Sequence, residues 1–203
     1  MSAREEHFIF PLGTVLYPGG ALPLRIFEQR YIEMTKACIR DDRPFGVCLI
    51  REGREVGIPA VPERVGCLAT IESWEMPQIG MFHLIARGGD RFQLHDTQVA
   101  PNGLMSGSIS RMPTQTGEAV DSICRDVLKA LIEHVGEAKF PQPVLLDDAD
   151  WVSYRLAEVL PLDPHIKQAL LEADDAASRF ERLRQALRSK DSSSRMLDVE
   201  SGE

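Results

Sequence analysis

The hydrophobic residues of this 203-residue chain change period once, near Pro113, and that change calls for two kinds of structure in one molecule. Before it, short apolar runs alternate with turn residues. "HFIFPL" is closed by Gly13, and "FGVCLI" is opened by Pro44 and ended by the polar "REGRE". "VGCLATIESW" follows, and "MFHLIAR" leads through Gly88, Gly89 and Asp90 into "RFQLHDTQVA", with "MSGSISRM" last. Short runs bounded by Gly and Pro read as strands, and the Gly-Gly-Asp step reads as a hairpin turn. One stretch differs. "LPLRIFEQRY" passes from a strand into a helix whose apolar stripe is Phe27, Tyr31, Met34 and Cys38, with Glu28 in the first turn, where its charge suits the helix dipole.

After Pro113, Val120, Ile123, Cys124, Val127, Leu128, Leu131, Ile132 and Val135 keep helical spacing while Asp121, Arg125, Asp126 and Lys129 take the other face. "KFPQPV" breaks this helix. A second begins near Asp148 or Asp150 and carries Trp151, Leu156, Val159 and Leu160. Asp163 followed by Pro164 starts a third, with Ile166, Ala169 and Leu170 on its apolar face, and Asp174 caps a fourth bearing Ala176, Phe180, Leu183 and Leu187. The expected organisation is α+β: a β-barrel or sandwich with one helix over residues 1–115, a helical bundle over 116–189, and a polar, Ser-rich, disordered tail over 190–203.

Composition excludes several functions. No apolar run approaches the roughly 20 residues that span a bilayer, and "MSAREEHFIF" does not read as a secretion signal, so no membrane partner and a cytoplasmic location are expected. Cys38, Cys48, Cys67 and Cys124 form no C-x-x-C pair, which suits reduced, buried thiols. The net charge of −8 is concentrated late: residues 1–115 hold 12 Lys and Arg against 13 Asp and Glu, residues 116–203 hold 11 against 18. That balance lacks the basic stripe a general nucleic-acid binder needs.

Catalytic motifs are missing too. Neither a phosphate-binding G-x-x-x-x-G-K-[ST] loop nor a G-x-S-x-G elbow is present; Ser106 has the wrong glycine spacing. His83 and His95 flank the expected hairpin and face each other across it, but with only Cys67 and Asp96 nearby they read as structural rather than as a metal site. The pairs Asp41 with Asp42 and Asp147 with Asp148 sit at helix ends, where capping accounts for them. No catalytic residue, metal or cofactor is expected.

"WEMPQIGMFH" resists this bland treatment. It sets Trp74, Met76, Ile79, Met81 and Phe82 around a turn, where polar residues are the rule. Either the hairpin packs on the helical half and these side chains are core, or they form a recognition tip in which flexible methionine and aromatic side chains adapt to apolar partners.

"FPLGTVLYPGGALPLRIFEQRYIEMTKACIRDDRPFGVCLIREG" closely resembles the start of the substrate-recognition domain of Lon proteases. The likeness continues through "VGCLATI" and "GGDRFQL" and returns in "LPLDPHIKQALLEADDAASRFERLRQAL", which contains Lys167 and Gln168. It departs from the family pattern at the hairpin of Trp74 and Phe82, which is less polar. The resemblance implies a PUA-like β-barrel with one inserted helix, then a helical bundle, and a non-enzymatic module that binds unfolded or exposed apolar polypeptide or a protein partner. It implies a stand-alone member without the ATPase and Ser-Lys protease modules, acting as an adaptor or regulator in protein quality control, with the "RIFEQRY" motif locking helix to barrel. The alternatives are an RNA-binding PUA-like protein, against which the acidity argues, and an enzyme on a small metabolite.

Overall fold

The structure, a computed structural model, describes residues 4–55, 60–113 and 117–200, with side chains as far as residue 188. The fold is mixed α+β, with a six-stranded sheet and five α-helices among the described residues. The chain divides into two compact units, Met1–Pro113 and Thr114–Glu203. The boundary expected at residue 115 falls on 114–116, outside the described residues.

The first unit contains β1 (Glu5–Leu12), β2 (Ala21–Ile26), α1 (Gln29–Asp41), β3 (Phe45–Glu52), β4 (Val61–Gln78), β5 (Met81–Val99) and β6 (Met105–Arg111). The strand order is β2-β5-β4-β3-β1-β6, and β5 also pairs with β6, so five strands return on themselves and β2 stands outside as an extra one. The first part of β5 pairs with β2 and the last part with β6, while β4 follows it on the other side. One core lies under α1, built from Tyr31, Met34 and Cys38 with Ile26, Phe45, Phe82 and Leu84. A second joins Ile9, Phe92, Leu94 and Ile109. Phe27 is not part of the helical stripe. The helix begins after Glu28, its N-cap, and the Phe27 side chain is exposed.

Gly88 and Gly89 do not make a turn; β5 runs straight through them. The segment between β1 and β2 crosses the strand there, Gly19 N–H donating to the Gly88 carbonyl at 2.8 Å and Gly88 N–H to the Gly20 carbonyl at 2.9 Å. A Cβ at residue 88 would lie 2.1 Å from the Tyr17 carbonyl oxygen, so the glycine is there to admit a crossing backbone. His83 and His95 consequently share one strand instead of facing each other. His83 lies 3.4 Å from Glu75, and His95 Nε2 lies 2.9 Å from Ser110 Oγ.

Strand ends are tied by charge. Arg111 donates to both carboxylate oxygens of Glu5 and to Asp90, while His7 Nε2 lies 3.2 Å from Glu5. Hydrogen bonds from Arg111 first, then from His7, hold the Glu5 carboxyl well below its ordinary value, at about 2 against 4.5. A carboxyl depressed in the folded state contributes stability that is full above about 4.5 and is lost as pH falls towards about 2. Between those values the parent should therefore lose more stability than Glu5→Gln, which has no such carboxyl to protonate. Chemical denaturation at a series of pH values checks this, and parallel losses would contradict it.

The second unit contains α2 (Ser122–Val135), a short 3-10 turn at Glu137–Lys139, α3 (Ala149–Val159), α4 (Pro164–Glu172) and α5 (Ala176–Glu200). Asp121, Asp148 and Asp163 accept from the Cys124, Trp151 and His165 amides, three acidic caps that leave fewer orphan donors. For α5 the cap is Asp175 rather than Asp174; its carboxylate accepts from Ser178 N–H, and Glu118 accepts from the Ala176 and Ala177 amides. Leu128, Leu156, Leu170 and Leu183 are buried, whereas Ile123 and Val135, on the edges of the α2 stripe, are exposed. Where the sequence suggests a disordered tail from residue 190, the helix continues to Glu200; side chains from residue 189 onward and residues 201–203 lie outside the described part.

Candidate functional site

The apolar turn sits at the end of a long hairpin. β3 accompanies β4 only as far as Phe45 opposite Ala69, after which β4 and β5 continue together to Gln78 opposite Met81. Two residues, Ile79 and Gly80, close the loop. Gly80 holds φ at +83°, a left-handed conformation that costs glycine little, and the loop so formed leaves Ile79 at the tip. Ile79 is 97% exposed, Trp74 51% and Met76 50%. Burying an isoleucine side chain is worth about 1.5–3 kcal/mol, so one left almost wholly in water contributes nothing of the kind to this fold and has that amount to give on binding.

Across from these residues runs α1. Ile32, Lys36, Ile39 and Arg40 lie on one side of the helix and, with Trp74, Met76, Ile79, Gly80 and Phe82, line a groove of about 390 Å³. Phe82 is 4% exposed and belongs to the core, forming the floor; its ring centroid lies 5.8 Å from that of Trp74. Met81 does not line the groove. Its sulfur accepts from Arg25 Nε at 3.2 Å. Of the five residues singled out in the sequence, four are therefore brought together and one is set aside. The α1 wall was missed, although Ile32 and Ile39, seven positions apart and off the line of Tyr31, Met34 and Cys38, signal a second apolar line; Ile32 is itself buried in the core cluster and Ile39 packs against it. Lys36 is exposed at the rim, and Arg40 is held by Asp41 through bonds of 2.7 and 2.8 Å.

Arg30 fixes this wall. It is buried, pairs with Glu28 at 2.9 Å, donates to the carbonyls of Gly103 and Glu55, and lies over the Tyr31 ring at 4.5 Å. One side chain thus joins the first turn of α1 to the loop after β5 and the segment after β3, which makes "RIFEQRY" a structural joint.

Other features offer less. A groove of about 490 Å³ in the second unit is larger and has a mainly apolar lining, but Ile166 is its one large exposed apolar residue, set among Ala169, Ala186, His165, Arg182 and Gln185. Acidic residues gather around a cavity of about 170 Å³ at Glu118, Asp147, Asp148 and Asp150. These carboxylates already serve as helix caps or ion-pair partners of Arg125 and Arg179. No group of three or more His, Cys, Asp or Glu among the described residues is placed to hold a metal. The four cysteines are buried, and burial pushes the Cys38 thiol up to about 11 and Cys124 to about 12, far from a reactive thiolate. No described helix is long and apolar enough to cross a membrane.

Comparison with known proteins gives the family and the fold. Residues 6–189 match the family described as the ATP-dependent protease La (LON) substrate-binding domain. The chain belongs to that family. It is 25% identical to Lon protease of Cytophaga hutchinsonii over 98% of its own length, and 27% identical to that of Paraburkholderia phytofirmans over 90%. It spans 26% and 24% of those proteins, about a quarter of the curated relatives it matches. Among solved structures, the Lon N-terminal domain protein from Xanthomonas campestris superposes with a TM-score of 0.75 at 33% identity, covering 89% of this chain and 98% of that one. The N-terminal domain of Mycobacterium avium complex Lon protease shares the fold, with a TM-score of 0.65 at 18% identity over 88% of this chain and 96% of that one.

Proposed function

We propose that this protein binds exposed apolar segments of other polypeptides, without chemistry of its own, in the groove between α1 and the β4–β5 hairpin. The observation that carries this reading is the exposure of Trp74, Met76 and Ile79 together on one rim. Membership of a substrate-binding family supports it, because binding a protein substrate is what such a domain contributes to the whole enzyme. The finer reading takes the self-closing sheet as a PUA-like barrel, the second unit as a helical bundle, and the protein as a cytoplasmic adaptor or regulator of protein quality control. An apolar, half-open site with adaptable methionine suits varied clients better than one fixed ligand.

The test is a triple replacement, Trp74→Ser, Met76→Ser and Ile79→Ser, leaving the core residue Phe82 in place. Ile79 is almost wholly exposed and costs about 0.5 kcal/mol or less to replace, whereas Trp74 and Met76 are half-buried and Trp74 packs on Phe82, so thermal unfolding first establishes that the variant is folded. Binding to a reduced, carboxymethylated and hence permanently unfolded polypeptide should weaken by roughly 10- to 100-fold, since a few buried anchors dominate such interfaces. Titration calorimetry measures it. Unchanged affinity in the folded variant would remove the hairpin from the function.

A further inference from the structure

Trp74 and Met76 lie on a strand edge that no other strand among the described residues covers. Beyond Ala69, β4 is paired with β5 on one side, while its other side, over residues 70–78, has no strand partner among the described residues. All of these residues except Ile71 are exposed. Backbone donors and acceptors on such an edge template the addition of another extended chain, and folded proteins commonly blunt their edges with proline. The opposite edge of this sheet extension, formed by β2, is blunted in that way by Pro23 in its middle. On β4 the only proline of the uncovered stretch is Pro77, beside the turn, which leaves residues 70–76 able to pair.

Side chains along that edge sort by face. The bulge between Ile71 and Ser73 inserts one residue, so that Ile71 and then Trp74 pair with the buried Ala86 and Leu84. Ile71, Trp74 and Met76 therefore follow one another on the α1 side. The opposite face carries Glu75 across from His83, and Glu72 bonded to Arg87 at 2.8 Å. A strand laid beside β4 would meet an apolar row on one face and carboxylates on the other.

Resting on the polypeptide-binding reading above, we propose that the site takes its client as an extended strand added to the outer edge of β4. Every second side chain is apolar and lies beside Trp74 and Met76 against α1, and the intervening positions favour lysine or arginine, which meet Glu72 and Glu75. Main-chain hydrogen bonds supply affinity that is tolerant of sequence, and the two faces supply the alternation rule. A helical client would present its apolar residues at the wrong spacing for one edge.

Fluorescence anisotropy with the full chain and three kinds of labelled peptide of about ten residues tests this, each long enough to cover a strand of ordinary length. One alternates leucine or valine with lysine. The second has the same sequence with alternate backbone amides N-methylated, made in both registers. The third keeps the composition with apolar residues at helical spacing. The alternating peptide should bind, one N-methyl register should weaken it by at least about tenfold while the other is tolerated, and the helical arrangement should bind more weakly. Trp74→Ser with Met76→Ser should weaken the alternating peptide. If both N-methyl registers bind as well as the parent peptide but the hairpin variant does not, side-chain docking replaces strand addition and the polypeptide-binding reading survives. Peptide binding that ignores the hairpin variant overturns both. If the alternating peptide fails while unfolded polypeptide binds at the hairpin, only strand addition falls. A concentration-dependent dimer abolished by the hairpin variant would assign the edge to a second copy of the chain and overturn the proposal.

Discussion

Arg179→Met is expected to cost about 3–5 kcal/mol, the loss that follows when one partner of a buried ion pair is removed. The side chain is 1% exposed. Its Nε donates to Ser153 Oγ at 2.8 Å, its Nη2 pairs with Asp150, and its guanidinium lies over the Tyr154 ring at 4.2 Å. These contacts join α5 to α3. Methionine fills much of the space but leaves Asp150 without its Arg179 partner and Ser153 without its donor. A domain's stability totals about 5–15 kcal/mol, so the loss should be plain in a denaturant titration. The double variant Arg179→Met with Asp150→Leu also removes the carboxylate that has lost Arg179 and should recover most of it, less the roughly 0.3–1 kcal/mol that an acidic residue contributes in a first helical turn. A single variant within about 1 kcal/mol of the parent would contradict this account of how the helices are held.

In the first unit, Arg30→Met should cost somewhat less, about 2–4 kcal/mol: Glu28, exposed to much the same degree as Asp150, loses its partner, but the guanidinium removed carries an unmet donor of its own. The carbonyls of Gly103 and Glu55 also lose their donor. Nε of Arg30 is buried without a hydrogen-bond partner, so the parent already carries one unmet donor there, and removing it offsets part of the loss. Thermal unfolding measures the cost. The variant has a functional consequence as well: Arg30 does not line the groove, yet it anchors the helix that forms one wall, so affinity for unfolded polypeptide should fall in parallel with stability. Full stability after this substitution would show that the joint is not what positions α1.

Much of the architecture was legible because periodicity and capping are local. Asp148 and Asp163 cap the helices they announce, while Asp121, read as part of a helix face, is the cap of α2, and the change of period near Pro113 falls at the boundary between the two compact units. Gly88 could not be read this way. Its reason is the Tyr17 segment crossing over it, a contact distant in sequence, and a Gly-Gly pair looks the same in a turn as under a crossing chain. The histidine pair failed with it, since facing positions required the absent turn. At the site, the hairpin was visible because apolar residues in a two-residue loop violate the usual solvation of turns. The α1 wall was not, because one stripe already accounted for that helix and Ile32 and Ile39 needed a neighbour to give them meaning. Phe82 shows the converse: composition marked it as part of the tip, while register placed it inward beside Leu84 and Ala86.

The claim that the groove between α1 and the hairpin receives polypeptide is tested most directly by backbone hydrogen exchange of the intact protein with and without a permanently unfolded, carboxymethylated polypeptide. The account predicts added protection over residues 70–82 and along Gln29–Asp41. Protection confined to the α4 and α5 groove, or none at binding concentrations, would contradict it.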